Sequence, residues 1–228
     1  MENLPYYIGI CFILTTLVTV GLFYKAARLH PNLTMIVLLT WIAIQAFIAI
    51  TGFYTQTTGT PPRFMLLVLP PLICIICLFI TAKGKEYLNG LDGKTLTLLH
   101  TVRIPVELVL FWLYSHHWVP QLMTFEGRNF DILSGLTAPV VFYFGFIRKT
   151  LPKTILLIWN FICLGLLLNI VINAVLSAPF PFQQFAFDQP NMAVLYFPFV
   201  WLPGCIVPLV LLAHLATIRQ LMRKTTVQ

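Results

Sequence analysis

"LLHTVRIPVELVLFWLY", residues 98–114, decides how this chain is read. It has the apolar density of a membrane-spanning helix, yet it carries His100, Arg103 and Glu107. A single charge at the centre of a bilayer costs about 2.5 to 3.5 kcal/mol on insertion scales. A chain that keeps two charges there has to give them partners or a task.

The rest of the sequence supports a bilayer setting. Of 228 residues, 59% are hydrophobic and only 9% are charged, with a mean hydropathy of +0.88. A soluble domain carries about a quarter charged residues, and this chain lacks the polar groups to cover a water-facing surface. A helix needs about 20 apolar residues to cross the hydrocarbon core. Runs at 6–26, 33–54, 64–82, 96–118, 132–146, 154–176 and 193–217 approach that length. The sequence therefore predicts an all-α integral membrane protein, a seven-transmembrane-helix bundle forming one domain over residues 1–228. The opening "MENLPYY" has no basic segment and no small-residue cleavage site, so the first run is expected to be retained as a span.

Charge gives the expected orientation. One set of loops and ends holds Lys25, Arg28, Lys83, Lys85, Lys94, Arg148, Lys149, Lys153, Arg219, Arg223 and Lys224, and the other holds Arg63 and Arg128. Basic residues accumulate on the cytoplasmic side, which predicts an external N-terminus and a cytoplasmic C-terminus in the plasma (inner) membrane. The net charge of +7 is thereby a topology signal. The basic residues are spread over short segments and form no compact patch, so nucleic acid is not an expected partner. The expected partners are the lipid bilayer and a small-molecule ligand or proton. Five cysteines, all in apolar runs, give no disulfide framework.

At 100° per residue, His100, Arg103, Glu107 and Tyr114 fall within about 60° of one another on a helix. That stripe is expected to face the bundle interior, with Val102, Val109 and Trp112 toward lipid. Arg103 and Glu107 stand at i and i+4, where they can neutralise one another. Gln45, at similar depth in the second span, and Trp41, one turn away, are candidates for the same cavity. His100, Arg103, Glu107, Tyr114, Gln45 and Trp41 together make the expected ligand-binding set.

The outer segment between spans four and five places His116, His117, Glu126, Arg128 and Asp131 close together without the spacing of a zinc or calcium site. An interfacial ion-pair cluster is the expected outcome there. The apolar loop "SAPFPFQQFAFDQPNM", residues 177–192, is expected to lie in the outer interface as an aromatic belt or to close over the bundle as a lid. His100 and His214 share a leaflet depth, which allows a bis-histidine haem or metal site if the two helices adjoin.

Seven spans with an external N-terminus is the layout of the rhodopsins, and the likeness ends at architecture. All seven lysines lie in the basic loops and ends, where none can hold a retinal Schiff base. The expected function is binding or transport of a small, anionic or proton-coupled molecule at the polar site of the fourth helix. The alternative is an intramembrane enzyme or a haem or metal protein acting on a lipid-soluble substrate, although no nucleophile or zinc motif is present. The sequence specifies no cofactor.

Overall fold

The computed structural model describes residues 4–59 and 61–223. Lys224, counted above among the cytoplasmic basic residues, lies outside them. Every regular element among the described residues is helical, and five helices are long and apolar enough to cross a membrane.

Helix α1 spans Tyr6–Ala26 and α2 spans Pro31–Ile50. α1 buries Thr15, Thr16 and Thr19, and each hydroxyl donates to the carbonyl four residues earlier at 2.7 to 2.9 Å. This is how a helix satisfies hydroxyls where water is absent. In α2 only Ile42, Gln45 and Ala49 are buried, a narrow stripe at helical spacing, while Ile36, Val37 and Phe47 are exposed. Apolar residues exposed on that scale suit a lipid-facing surface.

Helix α3, Met65–Ile80, meets α4, Ala82–Gly90, at a bend of 95°, and only together do the two pass as a sixth candidate span. α4 begins at Thr81, whose hydroxyl caps Gly84 N–H at 3.1 Å. Helix α5, Gly93–Leu99, runs through a 3-10 turn at His100–Val102 into α6, Arg103–Ser115. Pro105 explains the tight turn, since it offers no N–H to the Thr101 carbonyl. α5 starts at Asp92, which accepts from Thr95 N–H and hydroxyl and from Arg28 at 2.7 Å. Asp92 N–H in turn donates to Ala26 O at 2.9 Å, fastening the end of α1 to the start of α5.

Helix α7, Ile132–Phe142, continues as a π turn over Tyr143–Ile147, and this apolar segment is shorter than the other spans. Helix α8 covers Lys153–Leu176, and α9, Val207–Met222, follows a π turn at Leu202–Ile206. The last span therefore begins about nine residues later than expected. Residues 193–200 hold only a short 3-10 helix, Ala193–Leu195, anchored where Met192 and Ala193 N–H groups donate to Trp118 O.

The spans Gly93–Ser115 and Leu202–Met222 are the most buried and form the centre of the bundle. Here one expectation is corrected. Val102 and Val109 do not face lipid; both are buried, because α1 lies against that side of α6. Trp112 meets the ring of Tyr7 edge-on at 5.3 Å. For a helix at the centre of a bundle, an apolar face marks contact with other helices.

Candidate intramembrane binding site

The span Gly93–Ser115 brings Arg103 to the middle of the bundle, and three other helices supply its partners. Gly135 of α7 permits the approach: a Cβ there would lie 2.9 Å from Ile104 Cγ1 and 3.3 Å from Arg103 Cβ. With α7 so close, Asp131 at its start reaches Arg103, and Arg103 Nη1 donates to Asp131 Oδ1 at 2.7 Å. Nη1 also lies 3.4 Å from the Cys163 carbonyl of α8. Asp131 is held in turn by its own N–H donating to Asn129 Oδ1 at 3.0 Å and by the Ser134 hydroxyl at 3.4 Å.

The expected Arg103–Glu107 ion pair is therefore replaced. Arg103 pairs with Asp131, as Arg28 does with Asp92. An i,i+4 pair on one helix competes with partners from neighbouring helices, and here Asp131 wins for Arg103. Glu107 Oε1 instead accepts from Asn129 Nδ2, which also donates to Met123 O at 3.0 Å.

On the other side, Arg103 Nη2 lies 2.8 Å from His214 Nε2 of α9. A guanidinium has no acceptor, so Nε2 must accept and carries no proton. His214 Nδ1 then donates to Asn160 Oδ1 of α8 at 2.9 Å. Asn160 completes the chain by donating Nδ2–H to Leu156 O at 2.8 Å. His214 is thus neutral, with its tautomer fixed by its neighbours.

His100 and His214 do adjoin. Their rings stack at 3.9 Å between centroids and 13° between planes, and Trp159 sits edge-on to His100 at 5.6 Å. With face-to-face rings and both His214 nitrogens engaged, the pair does not make the opposed axial ligands of a haem iron. No group of three or more His, Cys, Asp or Glu among the described residues could hold a metal ion.

Beside this cluster lies a cavity of about 110 Å³. Its walls come from α3, α6, α8, α9 and the turn before α9, with Val106, Leu110, Leu167 and Ile170 among the apolar residues. Arg103, Glu107, Asp131 and Asn191 form its polar part. Seven buried side-chain nitrogen and oxygen atoms have no partner among the described residues. Three of them, Arg103 Nε, Glu107 Oε2 and Asn191 Oδ1, belong to residues lining this cavity. An orphaned buried acceptor or donor costs about 1 to 3 kcal/mol, so the concentration of three here requires a reason.

The remaining expected site residues lie elsewhere. Trp41 Nε1 donates to Gly204 O at 2.7 Å, a carbonyl that Pro208 cannot serve for lack of an N–H. The indole of Trp201 returns the contact by donating to Ile42 O at 2.9 Å, so the four residues lock α2 to the turn before α9. Gln45 is buried against Tyr54, whose hydroxyl donates to its Oε1. Tyr114 is half-buried, and its carbonyl accepts from Gln189 at 3.2 Å. None of these three lines the cavity, and neither does His100.

Among the described residues the outer segment forms no ion-pair cluster, because Asp131 turns inward to Arg103 while His117 bonds Gln189 at 3.1 Å and Arg128 covers the Phe185 ring at 5.8 Å. The 177–192 loop folds across the bundle end: Gln189 Nε2 donates to Val119 O at 2.6 Å, and Phe180 packs on Phe64 at 5.5 Å. Asn129, Asp131 and Asn191 were missed as site residues. Their spacing from Arg103 and Glu107 along the chain carries no periodic signal, and only the packing of α7 against α6 brings the first two in.

No curated protein and no solved structure matches the chain. A family model described as a domain of unknown function, DUF8737, matches residues 61–222, which hold Arg103 and all its partners. The chain belongs to that family.

Proposed function

We propose that the chain is a seven-span protein of the plasma (inner) membrane, N-terminus outside, that binds or transports a small molecule or proton at the cavity beside Arg103. The observation that carries this reading is the carboxylate of Glu107: buried, with Oε2 unpartnered, on the wall of a cavity it shares with Arg103. Intramembrane ionisable groups are costly, and those lining cavities mark substrate and proton paths. A purely structural network satisfies all its members, and in this one the cavity-lining Glu107, Asn191 and Arg103 each keep a side-chain atom with no partner among the described residues.

The preference among ligands differs from the sequence expectation. Arg103 already has a carboxylate at 2.7 Å, so an anion gains little from it. The open group is a carboxyl, which selects a hydrogen-bond donor or a cation.

Thermal unfolding of the purified protein against a panel of small cations, neutral donors and anions tests the reading. A ligand held at about 100 times its Kd stabilises by about 2.7 kcal/mol, a rise of roughly 5 to 10 °C for a chain this long. At least one donor-bearing compound should give such a rise in the native protein and not in Glu107→Gln. A panel in which no compound separates the two proteins contradicts the reading.

A further inference from the structure

The polar and apolar walls of the cavity narrow the chemistry of its ligand, given the reading that Glu107 belongs to a binding site. Charge is the first constraint. Arg103 and Asp131 neutralise one another, and His214 is neutral because it accepts from Arg103 and donates to Asn160. Glu107 is left as the acidic group of the cluster with no cationic partner within 4.0 Å among the described residues. Hydrogen bonding agrees: of the three orphaned atoms at the cavity, Glu107 Oε2 and Asn191 Oδ1 accept, and only Arg103 Nε donates. An anion would meet a carboxylate and find the guanidinium already paired. An ammonium supplies the missing positive charge and three N–H donors.

The second constraint is apolar. Val106, Leu110, Leu167, Ile170, Val194 and Val210 are among the apolar residues that line the rest of the cavity. A hydrated inorganic cation gains nothing from such walls, whereas an alkyl chain does. We infer that the cavity takes an amphipathic amine, with its ammonium head on Glu107 and Asn191 and its alkyl chain along these residues. The cavity is smaller than the ~150 Å³ apolar cavity that accepts benzene, so about four or five carbons fit inside. A longer chain has to emerge between the helices.

The test uses the full chain in non-ionic detergent, titrated with methylammonium, butylammonium and hexylammonium, with hexanol and hexanoate beside them. Two variants accompany it: Glu107→Gln, which removes the charge, and Val171→Phe, which adds bulk to the apolar wall of the cavity from α8. Affinity should rise about threefold to fourfold per methylene up to about butyl and then level off. Hexanol and hexanoate should bind at least tenfold more weakly than hexylammonium, and each variant should lose at least tenfold. If Glu107→Gln does not fold, Val171→Phe must still abolish the chain-length dependence. Methylammonium binding as tightly as butylammonium overturns the tail, and hexanoate binding more tightly than hexylammonium overturns the amine head. Either result, if abolished by Glu107→Gln, leaves the binding site itself standing. If no probe binds in a way that Glu107→Gln removes, both the inference and the proposed site fall.

Discussion

Arg103 Nη2 and His214 Nε2 stand 2.8 Å apart, and this one contact joins the two most buried spans of the bundle. Because the guanidinium can only donate, the contact also fixes the proton of the imidazole on Nδ1, where Asn160 receives it. Charge on Arg103 is thereby coupled to a helix, α9, that is more than a hundred residues away in sequence.

The first consequence is spectroscopic. In protein labelled with 15N at histidine, His214 should show the neutral form protonated at Nδ1. Asn160→Leu removes the acceptor and should shift that signal while costing about 1 to 3 kcal/mol of stability. A ring protonated at Nε2 would mean that Arg103 points elsewhere.

The Arg103–Asp131 pair should behave as a buried ion pair. Arg103→Gln or Asp131→Asn alone strands one charge and should cost about 3 to 5 kcal/mol. The double substitution should cost clearly less than the sum of the singles, by a coupling of at least ~1 kcal/mol. Thermal or denaturant unfolding of the four proteins measures it. Additive effects would deny the pair, and coupling of Arg103 to Glu107 instead would restore the expectation from sequence.

Gly135 should resist substitution. A methyl group there meets Ile104 Cγ1 at 2.9 Å and the Ile104 nitrogen at 3.1 Å, so Gly135→Ala should cost about 1 to 3 kcal/mol despite the better helix propensity of alanine. Gly165→Ala in α8 is the matched comparison, because nothing lies within 4 Å of its added Cβ. It should be neutral or stabilising, and equal effects at the two sites would contradict the close approach of α7 to Arg103.

Orientation is tested by labelling from outside. A cysteine at Thr58 should react with an impermeant reagent, and one at Lys149 should not. The reverse pattern would overturn the external N-terminus, which rests on the distribution of basic residues.

Much of the architecture was legible because bilayer helices announce themselves by length and apolarity, and α1, α2 and α8 lie within a few residues of their expected ranges. The start of the last span was not legible, since the residues from 193 on are as apolar as a helix but Met192 and Ala193 N–H groups are drawn to Trp118 O instead of to a preceding helical turn. The site was half legible. The cost of burying charge drew attention to His100, Arg103 and Glu107, and all three are buried. Their partners were hidden, because Asp131 and Asn129 read as members of a surface loop until Gly135 lets α7 close on α6. Trp41 and Gln45 were drawn to the site by depth alone, which does not say toward which neighbour a helix turns.

The central claim is that Arg103 is paired with Asp131 and His214, and that Glu107 is left without a cationic partner on the cavity wall. An experimental density map of the protein in a lipid nanodisc, at a resolution that places side chains, tests it most directly. The account predicts the Arg103 guanidinium between Asp131 and His214, with the Glu107 carboxylate on the wall of an open pocket beside Val106 and Leu110. A map in which Arg103 and Glu107 bond each other and the neighbouring helices close the pocket would contradict it.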